Sequence, residues 1–250
     1  MKLSHPALSC VLSYGMMGKN TEPERNNAML KFPCLVLDHD DTVVQTERAI
    51  AYPYFRDYLK SIRPQIDLSF SDFVHACYNV IFPDMCRERW QFTDEEMANE
   101  YHNWQLYCAA NIPPLCPGIE TVVRRQKEAG GLVCVVSLSS PENIRRDYER
   151  HFGFQPDAIY AADLPRDRRK PNPWPLLDIM ERFDLNPQDM LMVDDMKLGY
   201  TMAKAAGVPT ACAAWAKIDF PELMAEMKSI CDHAFDSPKE LEDFLFEITM

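Results

Sequence analysis

FPCLVLDHDDTVVQTE, running from Phe32 to Glu47, is the stretch from which the rest of the chain can be read. Phe32 to Asp38 is a short apolar run of strand length that ends in carboxylates. A run without polar alternation suits a strand covered on both faces, as in a parallel sheet. In an extended segment residues two apart point the same way, so Asp38 and Asp40 can converge on one site. That site lies just past the carboxyl end of the strand, where open α/β sheets bind ligands. Two carboxylates side by side repel, so one holds a proton or a cation bridges them. Taken alone, the pair is explained equally well as turn-forming acids after a strand.

Beyond IPPLCPG, which ends at Gly118, strands and helices alternate. GIETVVRRQKEAGG reads as a helix with a glycine stop, and LVCVVS, ending at Ser137, as a buried strand. PENIRRDYERHFG is a helix capped by Ser139 or Ser140, with Pro141 in its first turn. DAIYAA is a strand, PWPLLDIMERFDL a helix, and MLMVDD a strand ending in Asp194 and Asp195. LGYTMAKAAG is a helix, VPTACAAW a strand and FPELMAEMKSI a helix, before a short strand running into the last helix. Such alternation predicts an α/β fold, a doubly wound parallel sheet with helices on both faces.

Between Glu47 and Ala110 the pattern is different. Aromatics and methionines recur at helical spacing through AIAYPYFRDYLKSI, FSDFVHACYNVIF and DEEMANEYHNWQLYCAA, with no strand among them. Residues 46–111 therefore read as a smaller all-helical domain inserted into a core of 32–45 and 112–250, and the aromatic stripes as helix-packing surface. Residues 1–31 read as an extension, polar and loosely ordered from Lys19 to Asn27. The single lysine of its first eighteen residues, with His5, Pro6 and a missing cleavage pattern, speaks against a signal peptide, so a cytoplasmic protein is expected.

A net charge of −12 speaks against nucleic acid, whose binding rests on a basic face. It leaves room for a phosphorylated small molecule, because a lysine and a metal can reverse the field inside one cleft. The nine cysteines are scattered and odd in number, which suits reduced core thiols rather than a disulfide framework. No apolar stretch has the length of a membrane-spanning helix. Monomer and homodimer both stay open.

Asp194 and Asp195 should reach the same sheet edge as Asp38 and Asp40. Four acids meeting there call for a metal, and all-oxygen ligation favours Mg²⁺ over zinc. On the anion side, Ser137 ends a strand at the mouth of a helix, where a hydroxyl and free N–H groups gather. Lys170, in the proline-stiffened RRKPNPWP, can balance the acids and hold a phosphoryl oxygen. As lone features these two residues read as a helix cap and a solvated loop charge.

Together the motifs resemble the haloacid dehalogenase superfamily. LVLDHDDTVVQTE resembles its first motif, Ser137 its second, Lys170 in KPNP its third, and VDDMKLGYTMAKAAGV its fourth, in the family's order. The resemblance, which extends to phosphoglycolate phosphatase and β-phosphoglucomutase, runs from about Phe32 to the C-terminus. It implies a Mg²⁺-dependent phosphatase acting on a small phosphorylated metabolite, with Asp38 as nucleophile and Asp40 as general acid/base. It further implies metal ligation by Asp38, the Asp40 carbonyl, and Asp194 and/or Asp195. Ser137, Leu138 and Lys170 would line the phosphate site, and the insertion would cap the cleft, with Arg56, Lys60, His75, Arg87 and Arg89 as candidates to face it. Members that act as dehalogenases lack an acid at the position of Asp40. Three positions depart from the pattern: Asp41 replaces a usual glycine, Leu138 a common asparagine and Met196 a common serine. A β-phosphoglucomutase-like phosphotransferase and a non-catalytic phosphate- or metal-binding protein are the alternative readings.

Overall fold

The computed structural model describes residues 30–246; most of the expected extension, with its polar lead-in, lies outside the described residues. Six parallel strands form one sheet in the order β3-β2-β1-β4-β5-β6. They are β1 (Cys34–Leu37), β2 (Leu132–Val136), β3 (Ala158–Tyr160), β4 (Met190–Asp194), β5 (Thr210–Ala213) and β6 (His233–Phe235). All four residues of β1 are fully buried, which accounts for its unbroken apolar run. Successive side chains leave opposite faces. Leu35, Leu37, Val133, Val135, Leu191 and Val193 enter one core, and Cys34, Val36, Cys134, Val136, Met190 and Met192 the other.

The first core is covered by α5 (Ile119–Glu128), α6 (Pro141–Phe152) and α10 (Pro238–Phe246). The second is covered by α7 (Trp174–Phe183) and α8 (Lys197–Ala206). α9 (Pro221–Ile230) packs against β5 through Met224, Met227 and Cys212. This is the doubly wound sheet expected from the alternation of elements. The order of connection reverses between β1 and β4, which opens a crevice at their carboxyl ends.

After β1 the chain makes one tight turn, with Val43 N and Val44 N both donating to His39 O. Gln45 N then donates to Pro114 O, and Val44 bridges Leu115, so the two ends of the intervening segment run side by side. Between them a π-helical turn (Glu47–Ala51) leads into α1 (Tyr52–Ile62), followed by α2 (Phe70–Cys77), α3 (Phe82–Trp90) and α4 (Asp94–Ala110). These helices share an apolar cluster that includes Tyr54, Phe55, Leu59, Phe73, Met85, Trp90 and Phe92.

The run FSDFVHACYNVIF, whose apolar residues keep helical spacing, breaks after Cys77. Asn79 takes a left-handed φ of 58°, and Pro83 starts α3 in its first turn. The break has a use. Met196, at the head of α8, offers no side-chain cap, and Asn79 Oδ1 accepts a hydrogen bond from Lys197 N at 2.7 Å. Beside it, Tyr78 Oη donates to Leu223 O and His75 pairs with Glu222.

Glu100, on α4, is 4% exposed, and burial pushes its carboxyl up to about 7. No cation pairs with it among the described residues. A carboxyl raised in the folded state favours folding when protonated, and that advantage is lost as pH rises through the folded value. Glu100→Gln should therefore stabilise the protein by about 2 kcal/mol at pH 8 and change little at pH 5. Urea denaturation at the two pH values measures this, and equal effects at both would refute it.

Candidate active site

Asp38 follows β1, and its N–H donates to Val193 O of β4. Asp194 ends β4, with Asp195 next to it, and Ser137 follows β2. The three central strands thus deliver their acids and hydroxyl to one edge. The carboxylates of Asp38, Asp194 and Asp195 each offer an oxygen within 4.8 Å of the others, and all three residues are buried.

Lys170, in the loop before α7, reaches between two of them. Its Nζ donates to Asp38 Oδ1 at 2.6 Å and to Asp194 Oδ2 at 2.7 Å. Asp194 Oδ1 accepts from Met196 N at 2.8 Å, so both oxygens of Asp194 are engaged. Gly199, on the first turn of α8, makes room for this carboxylate: a Cβ there would lie 1.9 Å from Asp194 Oδ2. That contact explains the glycine in the sequence after the acid pair. Asp195 Oδ1, by contrast, is buried with no hydrogen-bond partner.

Electrostatically the site is short of cations. Burial pushes Asp194 up to about 8, with Asp38 and Asp195 adding to the rise and Lys170 opposing it. Asp195 is raised by burial as well, against the pull of Lys217. Burial alone would lower Lys170, but Asp194 and Asp38 outweigh it and hold the ammonium above the ordinary lysine range. Three buried acids sharing part of two lysines retain a surplus of negative charge, which a divalent cation would offset. The unpartnered Asp195 Oδ1 is the kind of atom such an ion would satisfy, and an all-oxygen donor set is the chemistry of Mg²⁺.

The remaining expected residues divide. Ser137 is buried, its Oγ accepting from Ser139 N at 3.1 Å, while Leu138 stands 39% exposed just outside. Asp40 is half-buried and forms no side-chain hydrogen bond among the described residues. The cleft-facing candidates are not brought to the acids. Arg56 pairs with Asp57, Arg87 with Asp94, His75 with Glu222, Arg89 lies against Trp90 and Lys60 is exposed.

Lys217 and Glu47 escaped the sequence reading. Lys217 Nζ lies 2.9 Å from Asp195 Oδ2, 3.1 Å from Asp41 Oδ2 and 3.0 Å from Glu47 Oε2, and the lysine is 3% exposed. VPTACAAW reads as a strand to Trp215, whereas β5 stops at Ala213 and a 3₁₀ turn, Ala214–Lys217, swings the lysine inward. Asp41 sits at φ 58°, a left-handed position that accounts for the glycine common there; Glu47 N donates to its Oδ1 at 3.0 Å. Burial, above all, pushes Asp41 up to about 6 and Glu47 up to about 7, with Lys217 pulling both down.

The family model for haloacid dehalogenase-like hydrolases matches residues 32–207, from β1 through the first turn beyond α8. The chain belongs to this family. Curated relatives match over shorter stretches. The plasmid-borne protein CbbY of Cupriavidus necator is 31% identical over 100 residues, 39% of each chain. The phosphoglycolate phosphatase of Nitrosospira multiformis is 42% identical over 57 residues, 22% of this chain and 24% of that protein. The aligned stretches thus span well under half the length of these relatives. Solved structures share the fold over most of the chain. A predicted phosphoglycolate phosphatase from Haemophilus somnus superposes with a TM-score of 0.67 at 18% identity, over 86% of this chain and 99% of that one. CbbY from Rhodobacter sphaeroides in complex with phosphate gives 0.65 at 18% identity, over 84% and 96%. Among the described residues no helix is long and apolar enough to cross a membrane.

Proposed function

We propose that this haloacid dehalogenase-like hydrolase is a Mg²⁺-dependent phosphatase for a small phosphorylated metabolite. The observation that carries the reading is the buried Asp38–Asp194–Asp195 group with Lys170 bridging Asp38 and Asp194. An Asp38 carboxylate oxygen attacks phosphorus in line, forming an aspartyl-phosphate as the ester P–O bond breaks. Asp40 gives its proton to the leaving oxygen, then takes one from the water that attacks the aspartyl-phosphate. Among the described residues its carboxyl makes no side-chain hydrogen bond, which suits a group that must hand a proton back and forth.

Ser137 Oγ and Lys170 Nζ hold the phosphoryl oxygens, and Lys170 also orients Asp38 through Oδ1. Asp38 and Asp195 are the residues with an oxygen to spare for the metal, whereas Asp194 is committed to Lys170 and Met196 N. When bound, Mg²⁺ offsets the repulsion between carboxylates and phosphate and shields charge that develops in the transition state. The helices from α1 to α4 act as a cap that excludes water and selects the leaving group. Phosphoglycolate phosphatase and phosphate-bound CbbY among the similar proteins agree with a phosphorylated small-molecule substrate.

The test is phosphate release from an aryl phosphate and from a panel of sugar and organic-acid phosphates, with Mg²⁺ and with chelator. Release that requires Mg²⁺ and favours one class of ester is expected. Turnover indifferent to chelator would sink the metal-dependent reading. Conversion of a sugar phosphate to its isomer, without free phosphate, would identify a mutase instead.

A further inference from the structure

Lys217 is as deeply buried as Lys170 yet touches a different set of acids, and the phosphoryl chemistry above makes no use of it. Its ammonium joins three separate pieces of chain: Asp195 beyond β4, Asp41 in the turn after β1, and Glu47 where the helical segment begins. On Asp195 the division of oxygens is sharp. Oδ2 lies 2.9 Å from Lys217 Nζ, while Oδ1 is left buried and unpartnered on the same carboxylate.

A carboxylate has two oxygens on one rigid fork, so fixing one fixes the direction of the other. From this geometry we infer that Lys217 is a positioning residue for the metal site, holding Asp195 so that Oδ1 faces the cation. The inference rests on the metal-dependent reading of the site. Asp41 is part of the same device. A third acid beside Asp195 and Glu47 is tolerable only because the lysine stands among them, and glycine at this left-handed position would need no such counter-ion. Groups that orient metal ligands from behind typically change affinity by about 10- to 100-fold when removed.

The probe is Mn²⁺, whose binding to the purified full chain is followed by electron paramagnetic resonance without substrate or turnover. Wild type is expected to bind one ion at a site lost in Asp195→Asn; absence of that site refutes the metal-dependent reading itself. Asp41→Gly should bind within about twofold of wild type, since glycine suits the backbone and Lys217 still holds Asp195. Lys217→Met combined with Asp41→Gly removes one charge of each sign, and its Mn²⁺ dissociation constant should rise about tenfold or more.

If the double variant binds as wild type does, whatever its melting temperature, Lys217 only neutralises Asp41 and the inference fails. Tighter binding overturns it too, because the lysine would then act merely as a cation repelling the metal. Should the double variant not fold, adding Glu47→Gln leaves Asp195 as the only acid facing Met, and the same rise is expected.

Discussion

Asp38→Asn should lower phosphate release by at least about a thousandfold while leaving the protein folded, as expected when the attacking group of a covalent mechanism is removed. Asparagine keeps the shape of the side chain and an oxygen to accept from Lys170, but its amide is not a nucleophile toward phosphorus. The fold has little reason to suffer. Lys170 keeps Asp194 as its ionic partner, and one of the crowded carboxylates has gone. The strand itself is held by packing and by the Asp38 N–H bond to Val193 O, which the substitution does not touch. Steady-state release from an aryl phosphate, with circular dichroism as the check on folding, measures the effect. A folded Asp38→Asn protein that turns over like wild type would falsify Asp38 as nucleophile.

Lys170→Met is expected to damage both stability and rate. The lysine is 7% exposed and donates to two carboxylates, so methionine leaves Asp38 and Asp194 buried beside each other with no cation between. Removing one partner of a buried ion pair costs about 3–5 kcal/mol, and here two partners are stranded. On the proposed mechanism the loss is of a cation aimed at the phosphoryl oxygens, worth about 100- to 1,000-fold in kcat. Part of the stability should return with Mg²⁺, because the ion takes over some of the charge balance. The kcat should not, because the metal does not replace a donor to the phosphoryl group. Urea denaturation with and without Mg²⁺, alongside kcat, separates the two effects. A variant that loses stability but keeps its kcat would reduce Lys170 to a counter-ion.

The parts of this molecule that sequence reveals are those written locally. The apolar run of β1 is buried on both faces along its whole length, and its period and its terminal acids are visible in a single short window. The acid pair at the end of β4 and the lysine before α7 are local in the same way, and the parallel sheet brings them together with no further instruction. Lys217 is the opposite case. It is separated from Asp41 by 176 positions, and nothing in AAWAK distinguishes a lysine folded inward from one left in solvent. The replacement of glycine by Asp41 was the one visible trace of it, an unusual acid whose partner lay elsewhere in the chain. In the helical segment, the run from Phe70 to Phe82 hid a break, because helical spacing of apolar residues continues across the left-handed Asn79. The placement of Arg56, Lys60, His75, Arg87 and Arg89 away from the acids was beyond sequence for a related reason: on an exposed helix, which side a charge occupies depends on tertiary docking.

The hydrogen bond from Lys197 N to Asn79 bears on how separable the two parts of the chain are. α8 starts from Met196, which cannot close its own first turn, and borrows the missing acceptor from the helices inserted after β1. The α/β core is therefore not a self-contained chassis onto which any helical segment can be grafted. Exchanging the insertion for a relative's would leave an open amide two positions from Asp195, unless the donor carried an acceptor at the same corner or position 196 held a serine. The helical insertion and the start of the helix beside the acidic edge are thus tied together in this chain, through a single asparagine.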